Sequence, residues 1–180
     1  ALVENATVAW NQAFGSIPVR PGDTVITGEV EYGANYVSLL KAARERGIEI
    51  LVAPPDASGQ VDVEALADLI DGRARLIAIT HVPTNGGLVN PAAAIGEVAG
   101  RSGVPYLLDC AQSAGQIDLD VGRLGCDFLV GTGRKFLRGP RGTGFLYASP
   151  RILEQTEPPV IDHTRAPWVA AGRYEGRPAA

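Results

Sequence analysis

Thr24-Val25-Ile26-Thr27, a helical stretch from Tyr36 to Ala43, then Gly47 and the run Ile48-Glu49-Ile50-Leu51-Val52 together decide the fold. The two apolar runs have the length and β-branched content of buried strands. Between them, Tyr36, Val37, Leu40 and Ala43 recur at helical spacing, and Gly47 stands where a helix can end on a left-handed residue. Strand, helix, strand in that order is a βαβ unit, and such units build parallel sheets.

The same grammar repeats downstream. Asp62 is placed to cap a helix whose Leu66, Leu69 and Ile70 share a face, and the strand Leu76-Ile77-Ala78-Ile79 follows. Asn90 and Pro91 open a helix with Ile95, Val98 and Ala99 inward, leading to Val104-Pro105-Tyr106-Leu107-Leu108. Asp127-Phe128-Leu129-Val130 and Gly144-Phe145-Leu146-Tyr147 are further strands; the stretch between them is too glycine-rich for a crossover helix, so this pair is expected to be antiparallel. The expected architecture is α/β, with a mainly parallel sheet and one antiparallel strand. After Pro150 periodicity fades among Pro158-Pro159, Pro167 and Pro178, so residues 1–155 are expected as one domain and 156–180 as an irregular connection.

Composition narrows the class. With 46% hydrophobic and 20% charged residues the 180-residue chain reads as globular, and its net charge of -4 argues against a nucleic-acid binder, whose footprint is basic. No apolar run approaches the roughly 20 residues that cross a bilayer, so no membrane partner is expected. Cys110 and Cys126 are too few for a disulfide scaffold and read as buried thiols in a reducing cytoplasm. The chain lacks methionine and opens on an apolar residue, which suggests a segment of a longer polypeptide. Its 16 basic residues include only two lysines, Lys41 and Lys135.

In open parallel sheets ligands bind beyond the carboxyl ends of the strands. Four loops in that position hold most of the unusual residues: Glu31-Tyr32-Gly33, Thr80 to Gly87, Asp109 to Ser113, and Gly131 to Lys135. Asp109 ends an apolar strand, where a carboxylate needs a cation or several donors; a cationic ring nitrogen would satisfy it, and so would capping the following turn. Lys135 sits in a turn whose N–H groups, hydroxyl and guanidinium suit a phosphate, and the neighbouring Arg134 disfavours protonation of the Lys135 amine, which favours attack on a carbonyl. The bland alternative is a solvated basic turn, with Arg138 and Arg141 close behind. Lys41, four residues before Glu45, reads as an ordinary i,i+4 ion-pair residue.

Other readings are weaker. Gly131 to Phe136 lacks the spacer and the Ser or Thr of a nucleoside-triphosphate loop. The run Arg134 to Arg141 could bind RNA phosphates in a non-enzymatic α/β module, but no stacking aromatics interleave it. His81 follows a strand in the crevice and either touches a ligand or is a satisfied structural histidine, while His163 falls in the tail. With no third histidine and no paired carboxylates nearby, no metal is expected.

Leu108-Asp109-Cys110-Ala111-Gln112-Ser113, Cys126-Asp127-Phe128-Leu129 and Thr132-Gly133-Arg134-Lys135-Phe136, in that order and spacing, resemble the class V aminotransferase family. This is a fold-type-I pyridoxal-phosphate group that includes cysteine desulfurases, selenocysteine lyases and isopenicillin N epimerase-like enzymes. The resemblance runs from Asn5 to about Tyr147 and implies a three-layer α/β/α large cofactor domain, lacking an N-terminal segment, within a homodimer. It implies that Lys135 joins pyridoxal phosphate covalently and then shuttles protons, that Asp109 pairs with the ring nitrogen, and that Gln112 faces the phenolic oxygen. Thr132, Arg134 and the loop Asn5-Ala6-Thr7 would hold the phosphate. Tyr32 stands where many relatives place a histidine over the ring, and Thr84 where desulfurases commonly have Asn, with Asn85 alongside; either of the two would touch the cofactor's oxygen.

The wording of Thr80 to Pro91 and of Gly133 to Tyr147 looks closer to lyase-like members, including the sulfoxide lyases of ergothioneine biosynthesis. A C–S or C–Se lyase acting on a cysteine-derived amino acid is therefore the expected activity, with an aminotransferase or epimerase as the rival. In the family, the arginine for the substrate carboxylate and the cysteine loop of a desulfurase lie beyond this chain, in or near a C-terminal domain.

Overall fold

The structure is a computed structural model and describes residues 1–161, 166 and 168–175. The chain runs β1 (Leu2–Val3), α1 (Ala6–Ser16), β2 (Thr24–Gly28), α2 (Gly33–Arg46), β3 (Glu49–Ala53), α3 (Val63–Asp68), β4 (Ala74–Thr80) and α4 (Ala92–Ser102). It continues through β5 (Tyr106–Asp109), α5 (Val121–Leu124), β6 (Phe128–Thr132), β7 (Gly144–Ala148) and α6 (Pro150–Gln155) to the short pair β8 (Trp168–Ala170) and β9 (Arg173–Tyr174). Seven strands form one sheet in the order β1-β7-β6-β5-β4-β2-β3. β7 alone runs against the rest, antiparallel to both β6 and β1, while β2 to β6 pair in parallel.

Period-2 alternation gives each strand two buried faces, and the helices cover both. On one side Ile26, Ile77, Ile79, Tyr106, Leu108 and Leu129 pack against Leu66, Ile95, Val98 and Leu124 of α3, α4 and α5. On the other, Val25, Leu76, Leu107, Phe128 and Val130 meet Trp10, Phe14, Leu39 and Ile152 of α1, α2 and α6. Residues two apart on a strand share a face, so this partition is the three-layer α/β/α arrangement. Gly96 lets α4 approach α5: a Cβ there would lie 2.0 Å from the Leu124 carbonyl oxygen. Gly96→Ala is therefore expected to lower stability by about 1–3 kcal/mol through overpacking, although alanine is the better helix former. A urea midpoint that held or rose would contradict this close approach.

Several local readings need correction. The inward face of α2 is Asn35, Leu39 and Ala42; Val37 and Leu40 are 63% and 50% exposed. A polar residue on the buried face hid the true stripe. Asn90 does not cap α4; its side chain accepts from the Val61 N–H at 3.0 Å and donates to the Thr80 carbonyl at 2.8 Å, tying two loops at the strand ends. Within the expected domain of residues 1–155, Pro150 occupies the first turn of α6, capped by Ser149, a place where its missing N–H costs nothing. The buried Asp127 carboxylate anchors α6 by accepting from Ser149 Oγ at 2.9 Å and Arg151 Nε at 3.1 Å. β8 and β9 form an antiparallel pair within the tail read as irregular, and the short α5 and β1 carried no periodic signal at all. Asp62 caps α3 and Lys41 pairs with Glu45 at 3.8 Å, both as expected. His163 lies outside the described residues.

Candidate active site

From β2 the chain moves outward to β3, then returns to lay β4 on the other side of β2. This reversal opens a crevice at the carboxyl ends of the strands. A cavity of about 500 Å³ lies there, and Asn5, Ala6, Thr7, Tyr32, Thr84, Asp109, Gln112, Thr132, Arg134 and Lys135 all line it. Every site residue expected from the sequence is thus brought to one place. A larger groove of about 1110 Å³ follows the β1 edge past Leu2, Leu146, Leu153 and Ile161. Its walls are chiefly apolar and among the described residues it gathers no lysine or arginine, so the chemistry belongs to the smaller cavity.

Asp109 closes β5 and is 3% exposed. Its Oδ1 accepts from the Ala111 N–H at 2.8 Å and its Oδ2 from the Asn35 side-chain amide at 2.8 Å. Burial raises its pKa, opposed by these two donors and by the Lys135 ammonium. The capping role is therefore real, but each oxygen retains a lone pair in a cavity wall. Across the cavity, Lys135 Nζ lies 5.6 Å from the centroid of the Tyr32 ring. Burial lowers the Lys135 pKa, Arg134 adds to that, and Asp109 opposes both. Loss of hydration, more than the neighbouring guanidinium, favours the neutral form of this amine. In the cofactor-free protein a small aldehyde with a mild reductant is expected to modify Lys135 severalfold faster than exposed Lys41 at about pH 8, where a lowered pKa gives more neutral amine. Peptide mapping showing the reverse order would reject it.

The rest of the cavity has the donor chemistry of an anion site. Asn5 caps α1 by accepting from the Val8 N–H at 2.9 Å, so the N–H groups of Ala6 and Thr7, which helix geometry leaves without intrahelical partners, remain at the cavity wall. Gly144 makes that placement possible, because a Cβ there would lie 2.7 Å from the Asn5 carbonyl carbon. Thr132 donates its hydroxyl proton to the Thr143 carbonyl at 3.1 Å and keeps its oxygen as an acceptor. An anion end built from Ala6, Thr7 and Arg134, an amine, and a buried carboxylate at a third wall fit the phosphate, aldehyde and ring nitrogen of pyridoxal phosphate.

Sequence reasoning missed Asn35, and it named Thr80 only as part of a loop and Arg141 only as part of a basic run; all three also line the cavity. It named Glu31 only as part of a loop. Asn35 was detectable, since a helix position four residues from Leu39 that carries Asn signals a buried polar role. His81 does not line the cavity: it is 5% exposed, its Nδ1 lies 3.0 Å from Ser113 Oγ, and burial lowers its pKa, so it is a neutral structural residue. Burial also pushes the Cys110 thiol far up and the Cys126 thiol up to about 12, which leaves neither as a nucleophile. Among the described residues no group of three or more His, Cys, Asp or Glu could hold a metal, and no helix is long and apolar enough to cross a membrane.

Residues 2–164 match the model of the aminotransferase class-V family, and the chain belongs to that family of pyridoxal-phosphate enzymes. Among curated relatives, a probable cysteine desulfurase of Methanothermobacter thermautotrophicus is 37% identical over 157 residues, which are 87% of this chain and 39% of that protein. The chain thus spans about two fifths of the relatives' length. Among solved structures, the cysteine desulfurase CsdA from Escherichia coli superposes with a TM-score of 0.87 at 27% identity, over 99% of this chain and 45% of that one. The cystine C–S lyase C-DES, solved with its reaction product cysteine persulfide, gives 0.84 at 27% identity over 98% and 48%. A variant of C-DES carries glycine covalently linked to its PLP cofactor.

Proposed function

We propose that the intact protein is a pyridoxal-phosphate lyase that cleaves the C–S or C–Se bond of a cysteine-derived amino acid by β-elimination. The observation that carries this reading is the convergence of Lys135, buried Asp109 and the Tyr32 ring on one cavity whose remaining wall is built for an anion. Likeness to cysteine desulfurases and to a cystine C–S lyase supports the substrate class.

Bound pyridoxal phosphate supplies an electron sink for cleavage at an amino acid's α-carbon. Lys135 Nζ would hold the cofactor covalently, and its free amine would take the substrate's α-proton. Its lowered pKa leaves part of the amine neutral for that task. Asp109 would pair with the ring nitrogen as its counter-charge, Gln112 would face the phenolic oxygen together with Thr84 or Asn85, and Tyr32 would stack on the ring. Arg134, Thr132 and the start of α1 at Asn5, Ala6 and Thr7 hold the phosphate.

In this reading residues 1–155 form the cofactor domain, and 156–180 lead to a C-terminal domain outside this chain. The protein acts as a cytoplasmic homodimer, and light scattering on the intact protein checks the dimer. The activity is tested by incubating the intact protein with cysteine, cystine and cysteine sulfoxides. A keto acid and ammonia, with sulfide from cysteine, persulfide from cystine or a sulfenic acid from a sulfoxide, support elimination. Alanine in place of the keto acid identifies desulfuration, and a keto acid that appears only with an amino acceptor identifies transamination; either outcome rejects the lyase.

A further inference from the structure

Behind Asp109 stands a second carboxylate, partly buried, that the proposed chemistry does not use. Glu31 follows β2 at the point where the strand order reverses, and it bridges the ends of β2 and β4. Five donors converge on it: the Thr27 hydroxyl at 3.3 Å, the Tyr32 N–H at 2.7 Å, the Asn35 amide at 3.1 Å, the Thr80 N–H at 3.0 Å, and the Thr80 hydroxyl. That is the donor set of a carboxylate held as an anion, yet no cation pairs with it among the described residues. By contrast the buried Asp127 is paired with Arg151.

The Asn35 amide nitrogen lies 3.1 Å from Glu31 Oε1 and 2.8 Å from Asp109 Oδ2. It has two hydrogens, one for each carboxylate. Asn35 is itself 2% exposed and has no other place to turn. The order Glu31, Asn35, Asp109 is therefore a fixed chain from the strand crossover to the cavity wall. We propose that Glu31 is a positioning residue which, through the Asn35 amide, locks the Asp109 carboxylate in orientation and adds a second negative charge behind it, so that the cavity selects a ligand with a cationic ring nitrogen.

The inference rests on the pyridoxal-phosphate reading of the site and adds to it the residues that set the electrostatics of the ring nitrogen. Burial raises the pKa of both carboxyls, and their mutual repulsion raises that of Glu31 further, so a cation at Asp109 relieves both. The other groups facing the pair are Lys135 from the turn after β6, Tyr32 at the start of α2, and the buried Tyr106 hydroxyl and Cys110 thiol from β5 and its end. Of these only Lys135 can carry positive charge, and an imine formed at its amine would be a weaker base than the free amine. The ring nitrogen is then the site where positive charge is most favoured.

The test compares pyridoxal phosphate with 1-deazapyridoxal phosphate, in which a C–H replaces the ring nitrogen, as ligands of the intact protein. Dissociation constants are read by absorbance titration for the wild type, Glu31→Gln and Asn35→Ser, with the unfolding midpoint of each. The expected result is that either substitution weakens pyridoxal phosphate about tenfold and the deaza compound less than twofold, a coupling of about 1.4 kcal/mol or less. Equal losses for the two ligands in the variant or variants that fold, which is what a merely structural role predicts, would overturn the inference, as would no loss for either. Failure of the wild type to bind pyridoxal phosphate at all would sink the cofactor reading itself, and this inference with it.

Discussion

Lys135→Ala is expected to lower turnover of a cysteine-derived substrate by about 10⁴ and to remove the visible absorbance band of lysine-bound cofactor. The argument is local. Lys41 sits on the outer side of α2, paired with Glu45, and Lys135 is the one lysine at the cavity. Arg134 cannot substitute for it, because a guanidinium stays protonated and neither attacks an aldehyde nor accepts a proton near neutral pH. Lys135→Arg is therefore expected to be as inactive as the alanine variant while retaining the fold. Borohydride reduction followed by peptide mapping reads the covalent link directly; a label on Lys41, or a band surviving in Lys135→Ala, would overturn the assignment.

Asp109→Asn is expected to lower kcat/KM by about 100- to 1000-fold, the usual cost of losing one preorganised charge in a dry site. Both Asp109 oxygens face donors, the Ala111 N–H and the Asn35 amide. An asparagine offers one oxygen and must set its own amide against one of those donors, so it loses orientation together with charge. The cofactor-free protein gives a second reading with a definite sign. Because burial raises the Asp109 pKa, the folded state binds more protons than the unfolded state between the ordinary carboxylate pKa and the raised one. Stability therefore declines as pH rises through that window, and the loss is complete above the raised pKa. Asp109→Asn is expected to flatten this part of the stability profile, and urea titrations at several pH values will show whether it does.

The parallel core of the sheet was legible because each βαβ unit declares itself locally, by a short apolar run, a helical stripe and a glycine or proline at the joint. The reversal of β7 was legible for the same reason, since no helix fits between Thr132 and Gly144. β1 was not, because two residues have no period; Leu2 and Val3 become a strand only when β7 offers a partner. The stripe of α2 misled because its buried face contains Asn35, a residue kept there for its hydrogen bonds. All ten cavity residues named from the sequence came from loop position combined with family resemblance. Position alone would have found the loops but not the division of labour among Asp109, Gln112 and Thr132. Glu31 escaped because its significance lies in five hydrogen bonds to residues up to 49 positions away.

The pairing of Leu2 with Phe145 joins distant parts of the chain, and α1 enters the cavity directly from that edge strand. Closing so long a loop is entropically costly and rewarded late, whereas the βαβ units between can assemble from near neighbours. The anion end of the cavity therefore comes into being only after the rest of the sheet is in place. In refolding, capture of pyridoxal phosphate is expected to lag the recovery of helical circular dichroism, so that ligand capture reports completion of the fold as well as the presence of a binding site.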